Sequence, residues 1–242
     1  MIPKLIHYCW FGKKEKPFLV KYYIKSWRDA MPDYELMEWN EENSPLNAND
    51  FVKEAFASKK YAFVSDYVRM YALYKYGGIY LDTDILALKS FDPFLTNKAF
   101  CCFETLNNYI IGTAVIGCEA KNEVVASFLE YYSKRHFINN GNYDIMANTF
   151  IFRFLLEPFG LVCNNIKQEL SNGFVIYPRT FFSAKINSKN KLDITKETVC
   201  VHNFAESWIS PRRKFKKTIL NTISYFKIRR IMKKWGNYIS VN

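Results

Sequence analysis

The stretch YAFVSDYVRMYALYKYGGIYLDTD, residues 61–84, decides how this chain folds. Its first sixteen residues are apolar or aromatic almost all round, the pattern of a helix buried on most sides. The Gly77-Gly78 pair ends that helix where a C-cap is expected. Ile79, Tyr80 and Leu81 then read as a strand running straight into Asp82-Thr83-Asp84. Alternation along a strand puts both carboxylates on one side and Thr83 on the other. Two hard oxygen ligands there suit Mg²⁺ or Mn²⁺ shared with phosphate oxygens. The plainer alternative is a solvated turn in which Asp bonds its own backbone.

The helix before this D-x-D shifts the balance. Ser65, Asp66 and Arg69 interrupt its apolar sequence, and helical spacing places them with Ala62 on one face. A merely structural Asp66–Arg69 pair is the competing reading, but burying such a pair is costly and often adds no net stability. A polar face leading into the D-x-D strand points instead to a site. There Asp66 accepts bonds from sugar hydroxyls and Arg69 offers its planar fork to sugar or phosphate.

Outward from this block, strands are expected at 4–10, 34–39, 99–104, 113–118, 174–177 and 199–203. Helices are expected at 18–30, from an Asn49 or Asp50 cap to about 58, at 122–136 and at 143–157. Strands alternating with helices imply an α/β domain with a mostly parallel central sheet, its ligands bound beyond the carboxyl ends of the strands. At 242 residues the chain is long enough for one large domain. Residues 1–210 form this domain and 211–242 a tail.

The formal charge of +11 suggests nucleic acid until it is located. Residues 211–242 carry ten Lys/Arg and no acid, and the other 24 basic residues balance 23 acidic ones. A neutral body without a nucleic-acid-binding module argues against nucleic acid as the partner. In the tail, Phe215, Ile219, Ile223 and Phe226 share one helical face, and Ile228, Ile231, Met232 and Trp235 share another. Basic residues beside apolar faces fit an anionic membrane surface; a solvated basic helix capping the fold fits equally. No window reaches the roughly 18 apolar residues of a membrane span, and the N-terminus lacks a signal-peptide pattern. A cytoplasmic protein, peripheral at the inner face of the plasma membrane, is the expectation. Six cysteines without CxxC spacing read as reduced core thiols.

A late cluster, Val201-His202-Asn203-Phe204-Ala205-Glu206-Ser207-Trp208, follows a strand. His202 is placed to close a metal shell, and Ser207 and Trp208 to donate to a diphosphate; a structural histidine is the alternative. His7 reads as structural, Trp10 as either core or a stacking platform, and Glu104 as a group that meets an acceptor.

The N-terminal IPKLIHYCWFG, the 61–84 block and VHNFAESW together resemble the D-x-D sugar transferases of glycosyltransferase family 32. These are enzymes of bacterial capsule and lipopolysaccharide synthesis, related to yeast mannosyltransferases and more distantly to clostridial glucosylating toxins. The resemblance covers about residues 1–210. It implies a GT-A type, Rossmann-like nucleotide-sugar-binding domain, a divalent metal (Mn²⁺ or Mg²⁺), a nucleotide-sugar donor and retention of anomeric configuration. It further implies that Trp10 stacks on the donor base, that Ser65, Asp66 and Arg69 contact ribose and sugar, and that Tyr80 is the aromatic before the metal motif. Asp82 and Asp84 are then metal and diphosphate carboxylates, and His202 the late ligand, with Glu206 as the acidic alternative. Asn203 and Phe204 replace the family's usual H-W at this point.

The implied activity moves a hexose from a UDP-sugar (UDP-galactose or UDP-glucose first, GDP-mannose second) to a saccharide acceptor, lipid-linked in surface polysaccharide synthesis. Asp66, Arg69 and Asp84 would carry the catalysis, Arg69 and the metal offsetting charge on the departing diphosphate. Covalent-intermediate and same-face routes both stay open. Two further readings are a peripheral lipid-binding protein with an incidental D-x-D and a toxin-like glycosyltransferase acting on protein.

Overall fold

The computed structural model describes residues 1–104, 110–184 and 193–204. In chain order the elements are β1 (Leu5–Cys9), α1 (Phe18–Ala30), β2 (Glu35–Trp39), α2 (Asp50–Ala57), α3 (Tyr61–Tyr76), β3 (Gly78–Leu81) and β4 (Ile85–Ala87). There follow β5 (Ala99–Cys102), β6 (Val115–Cys118), α4 (Glu123–Ser133), β7 (Ile138–Asn139), β8 (Asn142–Tyr143) and α5 (Asn148–Leu156). The last are β9 (Gln168–Glu169), β10 (Phe174–Tyr177), α6 (Arg179–Phe182) and β11 (Cys200–His202).

Seven strands form one sheet in the order β2-β1-β3-β6-β5-β10-β9. Five run the same way, while β6 and β9 oppose them. Strand alternation sorts the side chains into two apolar layers. Tyr80, Cys101, Ile116, Phe174 and Ile176 face a layer covered by α2–α5, which also buries Phe51, Phe128 and Phe152. Ile6, Tyr8, Ile79, Leu81, Phe100 and Val175 face the other layer, with Trp27 of α1, Phe91, Phe94 and Phe182. The result is a helix–sheet–helix sandwich with both faces of the sheet dry.

The helix α3 spans the residues its periodicity predicts and is buried along Val64, Tyr67, Val68, Met70, Ala72 and Leu73. Gly77 closes it at φ +66, its N–H bonded to the Leu73 carbonyl. At Gly78, φ is +96 and an added Cβ would lie 2.5 Å from the Leu5 carbonyl oxygen, so β1 and β3 approach there only across a glycine. At α2, the Asn49 side chain accepts from the Val52 N–H at 3.0 Å, a cap worth about 1 kcal/mol.

The helix expected over 143–157 begins only at Asn148. Asn142 and Tyr143 instead pair with Ile138 and Asn139 in a hairpin turned by Asn140 and Gly141, both at positive φ. Asp144 is then held by Arg135 at 2.6 Å. His7 is fully buried and structural, bonded to the Gly77 carbonyl at 2.8 Å while its Nδ1 accepts from Trp39 at 3.1 Å. Among the described residues no helix is long and apolar enough to cross a membrane. Five of the six cysteines are buried, and all are unbridged.

Candidate active site

The D-x-D lies beyond the end of β3, in the turn that joins β3 to β4. This differs from the expectation that strand alternation aligns the two carboxylates. The Ile85 N–H bonds back to the Asp82 carbonyl at 3.0 Å, and the Asp82 N–H is held by the carbonyl of Ala114, just before β6, at 2.9 Å. The turn, not the pleat, brings the carboxylates together. The third member arrives from the far end of the chain. Strand β11 pairs antiparallel with β4, with His202 opposite Ile85, and Asn203 fastens the junction by donating its backbone and side-chain N–H groups to the Asp84 carbonyl, each at 3.1 Å.

Asp82, Asp84 and His202 each direct one ligand atom to within 4.8 Å of the others. His202 Nε2 is 3.4 Å from Asp84 Oδ1, and its Nδ1 is buried with no hydrogen-bond partner among the described residues. Phe204 stacks on the imidazole with ring centroids 3.8 Å apart. Two carboxylates and one imidazole with a spare nitrogen make a fitting donor set for a divalent ion that accepts O and N ligands. Burial by itself lowers the His202 pKa, but Asp84, with smaller help from Glu104 and Asp82, raises it above the ordinary histidine value. Burial raises the Asp82 carboxyl, and Arg69 pulls against it.

Behind this cluster stands a buried polar network carried by α3. Arg69 Nη2 lies 3.0 Å from Asp66 Oδ1 and 3.3 Å from Asp82 Oδ1, Nη1 donates to the Thr113 carbonyl at 2.7 Å, and Nε donates to the Ser65 carbonyl at 3.3 Å. Its guanidinium sits 4.6 Å over the Tyr80 ring, and the Tyr80 hydroxyl donates to Asp82 Oδ1 at 2.9 Å. Tyr80 is almost wholly buried, so it backs Arg69 and aims Asp82 and does not open its ring to a ligand. Asn148, at the start of α5, donates to Asp66 at 2.5 Å and accepts from the Thr113 hydroxyl at 3.0 Å. Burial raises the Asp66 carboxyl to about 6, with Arg69 opposing and Asp82 reinforcing the shift.

The face read from the helix, Ser65-Asp66-Arg69, therefore meets the D-x-D. Thr113 and Asn203 were not foreseen; the one signal was a lone threonine in the apolar run Ile110–Cys118 and an asparagine after His202. Ser65 spends its hydroxyl hydrogen on the Tyr61 carbonyl at 2.9 Å and keeps its acceptor side. Trp10, beyond β1, is half-buried, with its indole N–H on the Lys14 carbonyl at 2.7 Å and Lys16 over its ring. Ser207, Trp208, Glu206 and the whole 211–242 tail lie outside the described residues.

Comparison with known proteins agrees with this geometry. Residues 17–101 match the glycosyltransferase sugar-binding region containing a DXD motif. Over 103 residues the chain is 38% identical to inositol phosphoceramide mannosyltransferase 3 of Schizosaccharomyces pombe, covering 41% of this chain and 29% of that protein. Over 108 residues it is 32% identical to mannosyl phosphorylinositol ceramide synthase of Saccharomyces cerevisiae, covering 41% of this chain and 27% of that one. The chain thus spans less than a third of the length of these relatives. A solved glycosyltransferase involved in glycosylating the major capsid of PBCV-1 superposes with a TM-score of 0.50 at 10% identity, over 91% of this chain and 100% of its own. The fold is that of GT-A glycosyltransferases, and residues 17–101 resemble the sugar-binding region of glycosyltransferases that contains a DXD motif.

Proposed function

We propose that this chain transfers a hexose from a nucleotide-sugar to a saccharide acceptor, with retention of configuration. The carrying observation is the convergence of Asp82, Asp84 and His202 to within 4.8 Å beside the Arg69 network. Those three residues would hold Mn²⁺ or Mg²⁺, which when bound offsets charge on a diphosphate leaving group. Arg69 adds a fixed positive charge a few ångströms away and holds Asp66 and Asp82 in place, so little reorganisation is needed as charge develops. Asp66, tied down by Arg69 and Asn148, is left to accept from sugar hydroxyls. Trp10 and Ser65 would serve the base and ribose, and Ser207 and Trp208 the diphosphate.

UDP-galactose and UDP-glucose are the donors the family resemblance favours. The names of the two yeast relatives add mannose, and with it GDP-mannose, as the competing donor. The same names carry a ceramide-based acceptor, which supports a lipid-linked acceptor here. The ten positive charges of 211–242 support contact with an anionic membrane, as at the inner face of a bacterial plasma membrane during surface-polysaccharide synthesis.

The test is thermal stability against UDP-galactose, UDP-glucose and GDP-mannose, with and without Mn²⁺, for the wild type and Asp84→Ala. A Mn²⁺-dependent rise with one donor, absent in the variant, is expected. A donor-induced rise that is equal in Asp84→Ala and indifferent to metal overturns the metal-site reading.

A further inference from the structure

Large apolar side chains left in water are concentrated in one stretch of this chain. Among the described residues, eight of the twelve exposed large hydrophobics fall within residues 138–166. Scattered exposed apolar residues are ordinary, but a concentration of this kind marks an interaction surface. Phe150 and Phe154 stand one turn apart on the outer flank of α5, whose inner flank is filled by Asn148, Ile151, Phe152 and Leu156. Ile145 and Met146 precede the helix, and Val162 and Ile166 follow it. Ile145 and Phe154 expose 71% and 69% of their surface.

The local charges do not oppose desolvation of this face. Asp144 is paired with Arg135 at 2.6 Å and Arg153 with Glu157 at 2.9 Å. Exposed Lys59, Lys60 and Lys167 adjoin it in sequence or space, Lys60 lying 4.9 Å over the Tyr143 ring. These apolar groups project from a loop and a helix flank, and Ile, Phe and Met offer a partner no directional bond. That chemistry suits the disordered apolar edge of a bilayer better than a structured protein partner. Position agrees. Helix α5 starts at Asn148, whose buried side chain touches Asp66 of the candidate site.

We propose that the exposed face of residues 138–166 inserts into the interface of an anionic bilayer while residues 211–242 supply the electrostatic attraction. A lipid-linked acceptor then meets the site along its Asn148 edge; this last step rests on the acceptor reading given above.

The full chain is to be sedimented with phosphatidylcholine vesicles with and without about a third phosphatidylglycerol. Phe150→Ser/Phe154→Ser is expected to lower partitioning onto the anionic vesicles by about tenfold or more, with its far-ultraviolet circular dichroism unchanged. In Phe154→Trp, brominated lipid is expected to quench the added fluorescence. Equal partitioning by the serine variant, with the added tryptophan unquenched on the vesicle, overturns the proposal. So does a dimer that the serine variant converts to monomer without loss of vesicle binding, since a second copy then covers the face. A tryptophan at 154 already shielded without lipid, and exposed on deleting 211–242, makes the tail its cover and also overturns it. Quenching on the vesicle without transfer to any lipid-linked saccharide refutes the acceptor reading and leaves the docking face supported.

Discussion

Arg69 is the residue whose loss the structure describes most completely. Its guanidinium compensates two carboxylates, Asp66 and Asp82, and is itself only 6% exposed. Arg69→Met keeps the length of the apolar stem but leaves both acids without their counter-charge and the Thr113 carbonyl without its donor. Removing one partner of a buried pair typically costs about 3–5 kcal/mol, which for a chain of this size lowers the melting temperature by roughly 10 °C. Asp66→Asn alone should cost less, about 1–2 kcal/mol, because Asp82 still balances the arginine and Asn148 keeps a neutral partner.

The two changes should not add: Asp66→Asn in the Arg69→Met background removes one of the stranded charges, with a coupling of about 1–3 kcal/mol. The cost should also depend on pH. With Arg69 present, burial already lifts the Asp66 carboxyl to about 6, and Arg69 pulls it down, so its loss lifts the carboxyl further. A carboxyl whose folded pKa exceeds its unfolded value takes up protons on folding, so it destabilises as pH rises through that window. Arg69→Met should therefore lie closer to the wild type at pH 5.5 than at pH 7.5. Urea unfolding of the four metal-free proteins at both values measures this. A cost below about 1 kcal/mol that is the same at both pH values would show a solvated pair and refute the argument.

Three further outcomes follow from single contacts. His202→Ala should weaken Mn²⁺ binding by about tenfold or more while leaving the metal-free melting temperature within a few degrees; calorimetric titration reads the first and a melting scan the second. Undiminished affinity would remove His202 from the ligand set. His7 has its pKa lowered to about 4 by burial, with the Gly77 hydrogen bond opposing. The folded state thus excludes a proton that the unfolded chain accepts below pH 6.5, and stability present above that pH should fall by about 3 kcal/mol as pH drops to 4. His7→Gln should be less stable at pH 7 and should lack this slope; a retained slope would place its origin elsewhere. Gly78→Ala combines φ +96 with a Cβ 2.5 Å from the Leu5 carbonyl oxygen, so a loss of at least about 2 kcal/mol is expected in urea unfolding. A neutral effect would mean that β1 moves freely from β3.

What could be read from the sequence followed the strength of the local signal. The bounds of α3 and α1, and the Asn49 cap of α2, stand where periodicity and capping chemistry put them. Short elements with no period of their own escaped: β4 and β9 are three and two residues long, and pairing alone defines them. Residues 143–147 carry a helix-like apolar spacing, but the Asn140-Gly141 turn and the Arg135–Asp144 pair override it. The polar face of α3 was legible because Ser65, Asp66 and Arg69 are anomalous in an apolar helix. Thr113 looks ordinary in sequence, and its bond to Asn148, like that of Asn148 to Asp66, joins strands and helices far apart along the chain.

The pairing of β11 with β4 has a consequence for synthesis. Every strand of the seven-stranded sheet precedes residue 178, yet His202 reaches the two aspartates only when the short β11 docks more than a hundred residues after them. A ribosome can therefore release all the material of the large sheet before His202 has emerged. A chain cut short before Cys200 would hold the D-x-D turn without its imidazole, so the cluster of two carboxylates and one histidine could not assemble.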